Sequence, residues 1–153
     1  MRIKGVVFSG VLRGKPLIEI YYYRLVGLLG FEPYMGTFDV KLTRSIDTTL
    51  YATKSLEHVL MDGKRLINAY LAPVNVIFKK NDAEEKYPCW AMQQADGIYG
   101  QDVVEIIAKD SLKEKFGIED GNIVELEFSE KNIVKRPDIL ESLPKGETQL
   151  MKR

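Results

Sequence analysis

The sequence predicts a mainly β domain, either a barrel or a sandwich, with a few short helices. Most patterned segments are short and alternate between apolar and polar residues, as strands with one buried face do. Helical patterns are few and short, which disfavours a doubly wound sheet with long helices between its strands. The chain has 153 residues, 45% of them hydrophobic and 29% charged, and this is enough for one folded domain.

The first part of the chain is predicted to hold three strands and a helix. Strands are expected at 3–11 and 17–21, on either side of a loop that contains glycine and proline. A helix is expected at 22–29, with Gly30 placed to end it. The clearest strand is 37–42. Its two faces alternate, with Phe38, Val40 and Leu42 on one side and Thr37, Asp39 and Lys41 on the other.

The second part of the chain is predicted to be strand-rich as well. Alternation predicts five strands, at 65–71, 74–79, 87–92, 103–107 and 124–128. Ser111 and Glu114 have the spacing of a capping box that opens a short helix, which Gly117 would end. Asp120-Gly121 is a turn signal. From residue 129 the chain is polar, so we expect a barrel domain at 1–128 and a tail at 129–153.

Composition argues against several classes of protein. Lys plus Arg and Asp plus Glu each number 22, and this balance disfavours a dedicated DNA-binding domain. Cys89 is the single cysteine and His58 the single histidine, so neither a disulfide nor a multi-histidine metal site is expected. Cys89 is expected to be a small buried side chain. The N-terminus lacks a signal-peptide pattern and no apolar run is long enough to span a bilayer, which predicts a cytoplasmic protein.

The most informative stretch is 29–42, with the sequence LGFEPYMGTFDVKL. Thr37 and Asp39 are two residues apart, so on a strand both project from one face. A hydroxyl and a carboxylate side by side suit a hard cation such as Mg²⁺. By spacing alone, a solvent-facing polar strand face is the commoner explanation of this pattern.

This stretch resembles the G-F-x-P-Y-x-G-T-L-N-x-x-L signature of the archaeal CTP-dependent riboflavin kinases. Residues 103–108, followed by 112–116 and by Asp120-Gly121, are similar to the C-terminal half of the same family. The resemblance covers most of 1–128 and implies a six-stranded cradle-loop β-barrel. It also implies a phosphotransferase that moves the γ-phosphoryl group of CTP to the ribityl 5′-hydroxyl of riboflavin, giving FMN and CDP.

The resemblance implies roles for individual residues. Thr37 and Asp39 fall on metal ligands, for Mg²⁺ or another divalent cation, with Asp39 in place of an asparagine. Glu105 falls on a flavin-binding glutamate, and its apolar neighbours suit a general base with a raised pKa. The alternative for Glu105 is a strand-end residue that faces solvent. Gly97 and Tyr99 fall on the flavin side. The positions that fall on the nucleotide side are Gly10, Val11, Leu12, Arg13, Gly14, Lys15, Lys109, Leu112 and Lys113.

Several positions depart from the family pattern. Leu12 stands where glycine is usual, Gly97 and Tyr99 replace a threonine and a histidine, and Lys109 and Lys113 replace a proline and an arginine. These departures leave open a diverged, non-catalytic barrel that binds flavin or nucleotide. A DNA-binding regulator is a third alternative, which the balanced charge disfavours. We expect a monomer that binds neither nucleic acid nor membrane.

Overall fold

A computed structural model describes residues 1–9, 18–35, 38–61, 65–94 and 101–129. Two helices are α1 (Tyr22–Leu29) and α2 (Leu112–Phe116), and a 3₁₀ turn spans Thr48–Leu50. The strands are β1 (Arg2–Phe8), β2 (Phe38–Leu42), β3 (Lys54–Met61), β4 (Arg65–Lys80), β5 (Ala83–Gln94), β6 (Val103–Ile107) and β7 (Ile123–Phe128). The predicted tail at 129–153 lies, after Ser129, outside the described residues.

Six antiparallel strands close into a barrel. Their order is β4, β5, β6, β2, β1 and β7, and β7 pairs back with β4 to complete the circuit. β3 lies outside this circuit and pairs with the first half of β4. The prediction of a mainly β, six-stranded barrel with short helices is therefore confirmed.

β4 is a single strand of 16 residues, where the sequence predicted two. One edge pairs with β5 from Ala69 to Lys80, while the other edge pairs first with β3 and then, from Val74, with β7. Pro73 lies at the change of partner, opposite Trp90 of β5. A proline has no N–H to donate, and it is tolerated here because neither β3 nor β7 pairs at this position.

Two hydrophobic clusters lie on opposite faces of the sheet. The inner cluster fills the barrel and includes Val7, Val40, Val76, Ala91, Val104 and Leu126. The outer cluster lies between the outside of the barrel and the segment that contains α1. It comprises Ile18, Leu25, Leu56, Ala69, Leu71, Met92 and Ile107. The barrel wall from β4 to β6 is therefore covered on both sides, and polar residues on its outer face can be buried.

Both predicted helices form with the expected ends. Gly30 follows α1 at φ 80° and donates its N–H to Val26 O at 2.8 Å. Ser111 caps α2 by accepting a hydrogen bond from Glu114 N at 3.4 Å, and Gly117 follows at φ 68°. A positive φ is readily adopted by glycine, which explains why the sequence located both helix ends.

Residues 18–20 are helical, so the strand predicted at 17–21 is wrong. Ile18 is buried while Ile20 is 71% exposed, although both would share one face of a strand. The side chains that meet the outer cluster have the i, i+3, i+4, i+7 spacing of a helix. They are Ile18, Tyr21, Tyr22 and Leu25.

β3 was not predicted, because an irregularity interrupts its alternation. Its pairing with β4 shifts register between Leu56 and Val59, and His58 between them has φ 57°. Such a bulge adds a residue and breaks the period of two on which strand prediction depends. His58 is exposed and lies within β3.

Candidate functional site

Two acidic side chains lie directly opposite each other on neighbouring strands of the barrel. Asp39 of β2 pairs in register with Glu105 of β6. Their neighbours Val40 and Val104 belong to the inner cluster, so both acids point to the outer face of the barrel. Directly opposed side chains of an antiparallel pair have Cβ atoms about 4.5–5.5 Å apart. The two carboxylates are therefore close neighbours.

Both acids are buried despite lying on the outer face. Asp39 is 7% exposed and Glu105 is 8% exposed. Met92 of β5, a member of the outer cluster, pairs with Glu105, and Phe8 of β1 pairs with Asp39. The interpretation of either residue as a solvent-facing strand position is therefore wrong.

The surroundings favour an unusual protonation state at this pair. Burial raises the pKa of Glu105 to about 7, and the negative charge of Asp39 contributes to the rise. Within the described part of the chain, the buried Oε2 atom of Glu105 has no hydrogen-bond partner. A buried carboxylate oxygen of this kind can accept a proton from a substrate hydroxyl or contact a cation.

The donor set fits a small divalent cation. Mg²⁺ typically takes one or two carboxylates from the protein and keeps other positions for phosphate oxygens and water. Asp39 provides a carboxylate of this kind beside a second one. The described residues contain no group of three or more His, Cys, Asp or Glu side chains placed to hold a metal ion. Thr37, the other expected ligand, lies outside the described residues.

The two nucleotide-side lysines have different environments. Lys109 is exposed and lies two residues after the end of β6. Lys113, on α2, is held by the protein itself: its Nζ donates to Asp120 Oδ1 at 2.6 Å and to Ser9 Oγ at 3.2 Å. Leu112 is buried in the inner cluster, so its side chain is part of the barrel core.

A polar cluster joins the end of β1 to α2. The hydroxyl of Ser9 donates to Asp120 Oδ2 at 2.6 Å, and Lys113 contacts both residues. Hydrogen bonds from Lys113 and then Ser9 lower the pKa of Asp120. Ser9 directly precedes the segment predicted to cradle the nucleotide, and Ser9 itself is held against Lys113 of α2.

The connection between β6 and α2, residues 108–111, is anchored by contacts that the sequence did not predict. Tyr34 donates its backbone N–H to Ala108 O at 2.8 Å. The Tyr87 hydroxyl donates to Asp110 Oδ2, and Lys115 Nζ donates to the same oxygen at 3.0 Å. No sequence signal pairs Tyr87 with Asp110, because the two residues belong to different elements.

A groove of about 760 Å³ lies beside this connection. Its lining includes Phe31, Tyr87, Pro88, Trp90 and Lys109. Trp90 is half-buried and packs against the outer cluster, as expected of a rim aromatic. Cys89 is buried as expected, and burial raises the pKa of its thiol to about 12, which makes it a poor nucleophile.

The remaining predicted site residues lie outside the described part of the chain. They are Gly10, Val11, Leu12, Arg13, Gly14 and Lys15 on the nucleotide side, Thr37 at the metal, and Gly97 and Tyr99 on the flavin side. Of the predicted site residues that are described, the structure brings Asp39 and Glu105 together. It also joins Lys113 to Ser9, which directly precedes the predicted nucleotide loop.

No helix among the described residues has the length and apolar character needed to cross a membrane.

Comparison with known proteins identifies relatives along most of the chain. A riboflavin kinase of Methanoregula boonei is 28% identical over 130 residues, which are 83% of this chain and 57% of that protein. A riboflavin kinase of Archaeoglobus fulgidus is 26% identical over 132 residues, 83% of this chain and 54% of that protein. A riboflavin kinase of Sulfurisphaera tokodaii is 28% identical over 130 residues, 83% of this chain and 94% of that protein.

The chain thus spans a little over half the length of the first two relatives and nearly all of the third. The family model for CTP-dependent riboflavin kinases, described as a domain of unknown function, DUF120, matches residues 7–128. This match contains Asp39 and Glu105, the connection at 108–111, and Leu112 and Lys113 of α2. The chain belongs to the CTP-dependent riboflavin kinase family.

Proposed function

We propose that this chain is a CTP-dependent riboflavin kinase. The γ-phosphoryl group of CTP passes to the ribityl 5′-hydroxyl of riboflavin, which yields FMN, CDP and a proton. The observation that carries the proposal is the buried, in-register pair of Asp39 and Glu105 on the outer face of the barrel. Family membership supports the assignment of substrates to this site.

Glu105 is proposed to act as the general base. Its buried Oε2 atom has no hydrogen-bond partner among the described residues and is thus available to the substrate hydroxyl. The O–H bond of riboflavin breaks as the new P–O bond forms, and the proton moves to the Glu105 carboxylate. Positioning supplies most of the rate in phosphoryl transfer, and a base adds a smaller factor.

Asp39 and Thr37 are proposed to hold Mg²⁺ or another divalent cation. When bound, the cation would neutralise negative charge on the phosphates of CTP. Asp39 is a carboxylate where the family usually has asparagine, so this chain contributes one more negative charge to the site. That charge strengthens attraction for a cation and lies on the same barrel face as the proposed base.

The nucleotide and flavin sides are assigned from the family pattern. Residues 10–15, Lys109, Leu112 and Lys113 are proposed to contact CTP, and the fixed cluster of Ser9, Lys113 and Asp120 supports this placement. Gly97, Tyr99 and Glu105 are proposed to contact riboflavin. We further propose a cytoplasmic monomer that binds neither nucleic acid nor membrane, with a barrel at 1–128 and a tail at 129–153.

The departures from the family pattern favour one other candidate, a non-catalytic barrel that binds flavin or nucleotide. Purified protein is incubated with riboflavin, CTP and Mg²⁺, Mn²⁺ or Zn²⁺, and FMN is measured by chromatography, with ATP as the comparison donor. Formation of FMN with CTP supports the kinase. Binding of riboflavin or CDP by calorimetry, with no FMN under any of these conditions, supports the non-catalytic alternative instead.

A further inference from the structure

Tyr87 lies on β5 and reaches the connection between β6 and α2. Its ring packs against Phe116 of α2, with centroids 5.3 Å apart and planes at 66°. The ammonium of Lys115 lies 5.4 Å from the centroid of the same ring. Its hydroxyl donates to Asp110 Oδ2. The ring therefore contacts the helix, and only the hydroxyl contacts the connection.

Asp110 is held by donors from two different elements. Tyr87 of β5 and Lys115 of α2 both donate to its Oδ2 atom. Both hydrogen bonds lower the pKa of Asp110, and the bond from Tyr87 has the larger effect. The acceptor therefore stays charged. Burial, and then the hydrogen bond to Asp110, raises the pKa of Tyr87 to about 12, so the hydroxyl keeps its proton at neutral pH.

These contacts fix the backbone on both sides of Lys109. Ala108 accepts a hydrogen bond from Tyr34, Asp110 is held by Tyr87, and Leu112 is buried in the core. Lys109 is exposed between two of these anchors. The direction in which the connection presents Lys109, and the start of the helix that carries Lys113, thus depend on Asp110 keeping its place.

We propose that Tyr87 is a positioning residue for the nucleotide: through Asp110 it holds the connection in the arrangement that presents Lys109 and Lys113 to the phosphates of CTP. The inference rests on the proposed function, because it concerns the donor side of that same site. Tyr87 need not touch the reacting atoms. It acts by keeping two cations in place, and preorganised charges bind phosphate without a cost of reordering.

The test separates the hydroxyl from the ring. Tyr87→Phe keeps the ring contacts with Phe116 and Lys115 and removes the hydrogen bond to Asp110. We expect the KM for CTP and the Kd for CDP to rise about tenfold, the size expected for losing one hydrogen bond to a charged group. The KM for riboflavin and kcat should stay within about twofold. The substitution weakens CTP binding equally in the ground state and the transition state, and such a loss raises KM for CTP without lowering kcat.

Tyr51→Phe is the matched control. Tyr51 is a buried tyrosine of the inner cluster, against which the half-buried Tyr87 also packs, and the Tyr51 ring lies on Phe128 rather than on the connection. This variant should leave both constants for the nucleotide unchanged. If Tyr87→Phe only loosened the barrel, it would change the constants for riboflavin and CTP alike, and that result would overturn the inference.

A double-mutant cycle tests whether Asp110 carries the effect. Asp110→Ala removes the acceptor, so adding Tyr87→Phe to it should weaken CDP binding by less than about twofold more. Independent, additive losses would overturn the inference, as would a Kd for CDP in Tyr87→Phe equal to that of the wild type. Calorimetry with CDP needs no turnover. A wild-type protein that binds CDP but forms no FMN therefore contradicts the kinase and still tests the role of Tyr87.

Discussion

Replacing Gly5 with alanine would force a methyl group into space that β2 already occupies. A Cβ atom built on Gly5 would lie 2.4 Å from Val40 Cγ1 and 2.8 Å from the backbone oxygen of Lys41. Carbon atoms in contact prefer separations of about 3.5–4.0 Å. Val40 could change rotamer at some cost, but the Lys41 carbonyl is fixed in the strand pairing of β1 with β2.

The expected cost follows from this geometry. Overpacking a filled position typically destabilises a protein by about 1–3 kcal/mol. Because one of the two clashes is with backbone in a ladder, we expect a loss near the upper end, about 3 kcal/mol. In a domain of this size each kcal/mol lowers the melting temperature by about 2–4 °C, so Gly5→Ala should melt about 6–12 °C lower.

Thermal unfolding followed by circular dichroism measures this shift, with Gly27→Ala as the control. Gly27 lies inside α1, and none of the described atoms would come within 4 Å of its added Cβ. Alanine is favoured over glycine in a helix by about 0.8–1.0 kcal/mol, so the control should melt slightly higher than the wild type. A Gly5→Ala protein that melts within about 2 °C of the wild type would refute the reasoning.

Three further predictions concern charged and reactive side chains. Glu105→Gln should lower kcat for FMN formation by about 10²–10⁴-fold, and a rate within threefold of the wild type would argue against a base at this position. The melting temperature should not fall, because the substitution removes a buried charge and keeps the shape of the side chain. Hydrogen bonds from Asn75, then Arg2 and Lys86, lower the pKa of Glu127 to about 2. Because the pKa of Glu127 is lower in the folded protein, its carboxylate stabilises the fold at pH values above its unfolded pKa of 4.5, and this contribution is lost as the pH falls toward 2. The wild type and Glu127→Gln should therefore differ in melting temperature at pH 6 and have similar melting temperatures at low pH. A constant difference across that range would contradict the assignment. Because burial raises the pKa of Cys89 to about 12, iodoacetamide at pH 8 should alkylate it far more slowly in the folded than in the urea-unfolded protein, and equal rates would show that the thiol is accessible.

Local chemistry was enough to predict the helices and the two strands that carry the acids. Gly30, Gly117 and Ser111 mark helix ends through backbone preferences that do not depend on the rest of the fold. Alternation placed Asp39 on the face opposite Val40. It did not predict that Asp39 would be buried, because its cover comes from other parts of the chain.

The features that were missed depend on tertiary contacts. The continuity of β4 through Pro73 requires that β3 and β7 share one edge of it, on either side of that residue, and β7 is distant in sequence. The helical turn at 18–20 is recognisable only once Ile18 is seen to share a cluster with Leu25. The contact of Tyr87 with Asp110 spans 23 positions and joins two elements, so no motif reveals it.

The long pairing of β4 with β5 has a consequence for how the barrel assembles. Lys80 pairs with Ala83 across a two-residue turn in which Asn81 and Asp82 have φ of 53° and 62°, a geometry that matches the twist of a hairpin. Among the described residues this hairpin has the shortest connection between paired strands, and such local contacts form at a low entropic cost. β7 must then return to the middle of β4 to close the barrel. Asp39 and Glu105 are 66 positions apart in sequence, so the acid pair is expected to form late in folding. Ligands that bind the pair would stabilise the chain only after the barrel has closed.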